Sequence, residues 1–252
     1  MARPDLRPMN VGPRLKLLRH YARRRVRREL DGIYTRGLKE ARALVAQHPL
    51  IICSNHVSWW DPFVLLLSAE ALNMRGRCLM DHKALSNLGF FRWLGAIPIH
   101  MNNPRLALKE LSDAGQRARP SDPIWIFPSG EYKRPHVEDL QFRSGLVRLC
   151  KSAPKNALVL PVALDVAFIE AKVPRYFVGF EAPMPLDECI RRKGEARVQA
   201  RIDSALKTLW RSDELMPLLA SRKNRELNGL GSKTLKLIAR EEHNADDKKE
   251  RS

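Results

Sequence analysis

The chain has no apolar run approaching ~20 residues, so no single-pass transmembrane helix is expected. Arg3 and Arg7 stand near the N-terminus with no apolar core behind them, which argues against a signal peptide. The four cysteines (Cys53, Cys78, Cys150 and Cys189) show no paired spacing, so they form neither a zinc motif nor a readable disulfide framework, and they suit a reducing cytosol. No G-x-S-x-G turn occurs, so nothing marks a hydrolase-type serine nucleophile. Internal repeats and long low-complexity stretches are absent too. Acidic residues are scarce, 28 Asp and Glu against 45 Lys and Arg. The resulting formal charge of +17 implies an anionic partner: nucleic acid, an anionic membrane surface or an acidic carrier.

With 252 residues, 44% of them hydrophobic, the chain can bury one substantial core. Its pattern predicts a basic N-terminal helical segment over 1–48, an α/β domain over 49–212 and a C-terminal helical extension with a polar tail over 213–252. Up to residue 48 there are thirteen Lys and Arg against four Asp and Glu, about half the net charge of the whole chain. A helix is predicted over 13–47, with Val11, Leu15, Leu18, Ala22, Val26 and Leu30 recurring every three to four positions and arginines filling the rest. That is the composition of an interfacial amphipathic helix, and equally of a helix docked on a domain with its basic face in solvent. A nucleic-acid arm has less support, because Tyr21 is the one aromatic in the arginine-rich stretch 14–28.

The most informative stretch is Leu50 to Phe63. Leu50-Ile51-Ile52-Cys53 reads as a buried strand. Asp61-Pro62 before an apolar run reads as a helix start, with Asp61 as N-cap. His56 and Asp61 stand between. On a helix, five residues turn through about 140°, so the pair would not share a face, but in a strand–loop–helix turn the two can meet. An imidazole backed by a carboxylate at the mouth of a parallel sheet is a general base with a set tautomer. It would activate a hydroxyl, here that of a substrate. Trp59 and Trp60 are either interfacial or channel anchors, or packing under the helix.

Beyond this, strands are predicted at 77–81, 95–100, 123–127, 158–164 and 175–180, and helices at 62–73, 84–93, 104–118, 144–152, 187–211 and, interrupted by Pro217, 213–229. Residues after about 241 are expected to fray. Phe127-Pro128-Ser129-Gly130-Glu131-Tyr132-Lys133-Arg134 ends one strand in a Pro and Gly turn with charges beyond, a plausible pocket lip or a solvated turn. Gly130 there permits close backbone approach.

Asn55-His56-Val57-Ser58-Trp59-Trp60-Asp61 resembles the first motif, His-x4-Asp usually preceded by Asn, of the glycerolipid and lysophospholipid acyltransferases, the 1-acylglycerol-3-phosphate acyltransferase family. Gly95-Ala96-Ile97-Pro98-Ile99-His100-Met101 resembles the second, with His100-Met101 where the family has Asp-Arg. Phe127, Pro128 and Gly130 match the third, Phe-Pro-Glu-Gly-Thr-Arg-Ser, while Ser129, Glu131 and Tyr132 depart from it. Phe142-Arg143-Ser144-Gly145 continues that register, and Leu158 to Leu164, with Pro161, resembles the fourth.

The resemblance implies a glycerolipid acyltransferase-like α/β domain, with a central, mostly parallel sheet flanked by helices. It implies that His56, oriented by Asp61, takes a proton from a lipid hydroxyl that attacks an acyl-CoA or acyl-carrier-protein thioester. It further implies that Phe127, Pro128, Ser129, Gly130, Glu131, Lys133 and Arg134 contact substrate. No metal, and no cofactor beyond the thioester co-substrate, is implied. The expected partners are an anionic membrane surface, at its cytoplasmic face, the thioester donor and a lipid acceptor, with no specific nucleic acid. The default acceptor is a lysophospholipid. The lost arginine of the second motif favours a glycolipid or another non-phosphate lipid alcohol instead. A non-catalytic membrane- or nucleic-acid-binding protein is the alternative from another class.

Overall fold

Leu50–Ser54 and much of Leu158–Ala167 are buried on both alternations, as strands covered by helices on both faces must be. They sit at the centre of one sheet. In the computed structural model, which describes residues 12–169 and 172–220, α1 (Pro13–Glu29) leads into β1 (Gly32–Arg36), α2 (Leu38–Gln47) and β2 (Leu50–Ser54). Next come α3 (Asp61–Ala71), β3 (Arg77–Asp81), α4 (His82–Asn87) and β4 (Ile97–Ile99), then α5 (Pro104–Gly115), β5 (Ile124–Ile126) and α6 (Gly145–Ser152). β6 (Leu158–Ala167), β7 (Arg175–Phe180) and β8 (Met184–Pro185) precede α7 (Leu186–Ile190), α8 (Gly194–Leu206) and β9 (Met216–Ala220).

The sheet runs β4-β3-β5-β2-β6-β7-β1-β9, with β8 paired to β6 off that path. Pairing is parallel from β4 across to β6 and again between β1 and β7. It is antiparallel between β6 and β7, β6 and β8, and β1 and β9. The predicted α/β architecture, a mostly parallel sheet flanked by helices, is the one observed. Successive residues of β2 feed two cores: Leu50 and Ile52 join Ala22 and Val26 of α1, Val45 of α2 and Phe63 of α3 on one face. Ile51 and Cys53 join Leu111 of α5, Leu146 of α6 and Ile202 of α8 on the other. From β2 the chain crosses to β3 on one side, and from β5 it crosses back to β6 on the other. Strand order therefore reverses at β2, and the crevice beyond the carboxyl ends of β2 and β5 is where such folds place ligands.

Several elements differ from the sequence expectation. The helix predicted over 13–47 is two helices with β1 between them. Gly32 and Gly37 bracket Ile33-Tyr34-Thr35, a β-branched and aromatic run. Gly37 has φ +71, and a Cβ there would stand 2.2 Å from the Phe180 carbonyl oxygen, so glycine is required where the helix would have continued. The helix predicted over 213–229 is replaced at its start by β9, which pairs with β1 at the sheet edge, where Pro217 withholds no essential donor. The sheet thus takes strands from both sides of 49–212. The run at 84–93 is α4 followed by a 3-10 turn, and 187–211 is α7 and α8 followed by another. Val11 and the polar tail lie outside the described residues.

The apolar stripe of α1 is docked: Ala22 and Val26 are buried, and Leu15 and Leu18 pack against the same core. Arg19 lies 3.7 Å from Glu70 of α3, and Arg23 pairs with the same carboxylate. Leu17 and Tyr21 remain exposed. Among the described residues no helix is long and apolar enough to cross a membrane.

Candidate active site

The loop after β2 is anchored before it reaches His56. The Ser54 hydroxyl accepts a hydrogen bond from the Trp125 indole N–H (2.7 Å). The Asn55 amide donates to the Leu164 carbonyl and accepts from the Leu164 N–H, both at 2.8 Å. Asn55 thus extends the pairing of β2 with β6 by one side chain in the buried interior, and the next residue leaves the sheet from a rigid point.

His56 Nδ1 lies 2.5 Å from Asp61 Oδ2. Asp61 was expected to cap α3. Its side chain makes no cap bond and is turned back into the loop. There Oδ2 also accepts from the Val57 N–H (2.9 Å), and Oδ1 accepts from the Ser58 N–H (3.0 Å), the Ser58 hydroxyl (3.0 Å) and the Tyr176 hydroxyl (2.7 Å). Asp61 is fully buried, and a carboxylate so surrounded acts only as an acceptor. Its bond to His56 therefore holds the proton on Nδ1 and leaves Nε2 with its lone pair. Burial, and then the nearby Asp61, push the Tyr176 phenol well above its ordinary value, so it remains a donor. Phe127 and Tyr132 lie against the imidazole, with ring centroids 4.2 and 4.1 Å away. The Lys133 N–H closes the loop by donating to the His56 carbonyl (2.8 Å).

His56 lines a cavity of about 980 Å³, at the upper end of small-molecule sites. Its walls are mostly apolar: Leu15 of α1, Leu65, Leu66 and Ala69 of α3, Met80 of β3 and Leu146 of α6. Cys78 also faces it. Burial, then Asp61, push this thiol up to about 12, so it is no nucleophile at neutral pH. Trp60 is buried in the core, whereas Trp59 is 50% exposed and lines the cavity.

Of the other predicted contact residues, Phe127, Pro128 and Gly130 line this cavity with His56. Ser129 is buried, and its hydroxyl donates to the Glu131 carbonyl (2.8 Å), which makes it a turn residue. The Glu131 carboxylate lies 3.1 Å from Lys133 Nζ and 3.8 Å from Arg143, which lines the cavity. Arg134 points elsewhere: it pairs with Glu138 (3.0 Å) and lines a second cavity. His100 Nδ1 bonds to Glu110 (2.6 Å) and its ring stacks on His82 at 4.1 Å. Sequence reasoning missed Tyr132, Arg143 and Tyr176. The first two sat inside motifs already quoted. Tyr176 had no signal, being an ordinary strand residue 115 positions from its partner. Among the described residues no group of three or more His, Cys, Asp or Glu is arranged to hold a metal ion.

A family model described as Acyltransferase matches residues 33–165, just over half of the chain. Among solved structures, the chain is similar to the crystal structure of the 1-acyl-sn-glycerophosphate (LPA) acyltransferase, PlsC, from Thermotoga maritima. The TM-score is 0.54 and the identity 16%, over 77% of this chain and 78% of that one, which shows a shared fold. No curated protein matches the chain.

Proposed function

The chain belongs to the acyltransferase family, and we propose that it is a membrane-associated O-acyltransferase moving a fatty acyl group from an acyl-CoA or acyl-carrier-protein thioester to a lipid hydroxyl. The observation that carries this reading is the His56–Asp61 pair at the edge of a large apolar cavity. The cavity suits an aliphatic chain, and the pair suits a hydroxyl that must lose its proton.

His56 Nε2 takes the hydroxyl proton as the oxygen attacks the thioester carbonyl. The new C–O bond forms, and the carbonyl π electrons move to oxygen in a tetrahedral intermediate. As the carbonyl re-forms, the C–S bond breaks, and the proton on His56 passes to the departing sulfur. Asp61 stays ionised and steadies the imidazolium. The oxyanion needs donors. The Gly130 N–H is already donated to the Phe127 carbonyl (3.0 Å), so other donors are required. Lys133 and Arg143 share one carboxylate, Glu131, with Arg143 lining the cavity, and this surplus positive charge suits the phosphates of either donor. The route needs no metal and no covalent enzyme intermediate.

For the membrane side, α1 keeps a basic outer face beside exposed Leu17, Tyr21 and Trp59. Such a face adsorbs to an anionic leaflet, here the cytoplasmic one, with about 1 kcal/mol for each basic side chain near it. A lysophospholipid is the default acceptor. A glycolipid or another neutral lipid alcohol is favoured by His100 and Met101, since His100 is tied to Glu110 and Met101 carries no charge for a phosphate. The test is thiol release from a panel of acyl-CoAs, and then from acyl-carrier protein, with and without mixed lipid extract. Release that depends on lipid and is lost in His56→Ala is expected. Equal release by the folded variant would sink the mechanism.

A further inference from the structure

A second histidine–carboxylate pair lies beside the first. His136 Nε2 is 2.9 Å from Asp165 Oδ2, while Asp165 Oδ1 accepts from the Val166 N–H at 2.8 Å. Asp165 is 96% buried by residue, with 4% of its surface exposed, near the end of β6. His136 is held with φ +67, a left-handed conformation that a non-glycine residue adopts only under constraint from its surroundings. The pair lines a second cavity of about 690 Å³. Its wall includes Val57, the residue next to His56, and it also holds Phe168, Ile169 and Trp210. Phe168 is 71% exposed, a large ring left uncovered. Arg211 lies 4.3 Å from the Trp210 ring centroid and steadies it.

The charge balance of this cavity decides what it suits. The one cationic side chain on its wall, Arg134, is already matched to Glu138, and the His136 imidazole is engaged by Asp165. No surplus positive charge is offered to a phosphate, and the buried Asp165 carboxylate would repel one. A neutral group rich in hydroxyls fits better. A sugar ring has an apolar C–H face, which Trp210 and Phe168 can cover. It also has an edge of hydroxyls, which a carboxylate and an imidazole can hydrogen-bond. We propose that this second cavity, lined by Val57 one residue from His56, binds the neutral, sugar-like headgroup of the acceptor. The inference rests on the acyl-transfer reading and deepens it by naming the acceptor class. The thioester's anionic end belongs to the first cavity, beside Arg143.

Two measurements on the full chain test this. The first is saturation-transfer NMR with methyl β-D-glucopyranoside, on wild type, Asp165→Asn, His136→Ala and Trp210→Ala. The second is palmitoyl-CoA-dependent acylation of monoglucosyl diacylglycerol and of 1-acylglycerol-3-phosphate in mixed micelles, with melting temperatures recorded for each variant. Wild type is expected to saturate the sugar protons, and the folded variants to lose that signal. The ratio of kcat/KM for the glucosyl acceptor over the phosphate acceptor should fall about tenfold in His136→Ala, the scale of one lost hydrogen bond to a charged group. Absence of a sugar signal in wild type would overturn the proposal. So would an unchanged ratio in the folded His136→Ala variant, or an equal loss with both acceptors. Failure of wild type to acylate either lipid with any thioester would instead remove the acyl-transfer reading, and the NMR arm alone would then decide the cavity.

Discussion

Two histidine–aspartate pairs flank one short loop, and their surroundings give them different work. His56 and Asp61 are five residues apart, and the carboxylate is saturated by five donors. His136 and Asp165 are 29 residues apart, and the carboxylate takes two. The side chain of His56 is 19% exposed, under two aromatic rings and at the edge of an apolar cavity. That of His136 is 40% exposed, in a smaller cavity with paired charges. A carboxylate that cannot move holds one tautomer of its histidine, which suits proton transfer. A carboxylate with spare acceptor capacity beside an open imidazole suits hydrogen bonding to a ligand. Residue type alone does not separate the two; the count of donors around each carboxylate does.

Substitutions can break this contrast. The largest effect is expected from His56→Ala, a loss of about 10³-fold in kcat with circular dichroism unchanged. Asp61→Asn should cost about 10²-fold, because the amide places a donor where five donors already point, and a lower melting temperature should accompany it. Tyr176→Phe removes one of the five. About a tenfold drop in kcat/KM is expected. The loss should fall on kcat with KM unchanged, since the less anchored carboxylate orients His56 less well. A purely structural tyrosine would lower stability and leave kcat in place. His136→Ala, by contrast, should act on acceptor choice, as the competition between glucosyl and phosphate lipids measures. The smallest effect concerns Cys78. Its thiol is pushed from 9.0 to about 12 in the folded protein, so the unfolded chain releases this proton first. The stabilisation is complete below pH 9 and is lost as pH rises towards 12, with a slope of up to about 1.4 kcal/mol per pH unit. Urea melts from pH 8 to 11 should show a shallower decline in Cys78→Ala than in wild type.

The centre of the fold was legible because burial on both faces writes itself as an unbroken apolar run, as in Leu50 to Cys53 and Leu158 to Leu164. The edges were not. Ile33-Tyr34-Thr35 lies inside a basic helical pattern and becomes strand because β7 and β9 stand ready to pair with it. Met216 to Ala220 reads as helix in the sequence because its strand partner, β1, lies far away along the chain. At the candidate site the meeting of His56 with Asp61 was legible, since a five-residue loop keeps both local. The fifth donor, Tyr176, comes from an antiparallel strand in the sheet. The uncharged state of its phenol and the contact of Tyr132 with the His56 ring depend on neighbours that are distant in sequence.

By itself, then, the amino-acid order determined an α/β chain of the acyltransferase family, with a local imidazole–carboxylate pair after its central strand and a strongly basic first helix. These are properties of periodicity, composition and short spacing, which act within a few residues. Only the tertiary structure decided that α1 docks its apolar stripe on α3, that a large apolar cavity opens beside His56, and that Arg134 turns to a second cavity with His136 and Asp165. Each of these depends on strand order, and strand order is set by which apolar faces can be covered together across the whole chain.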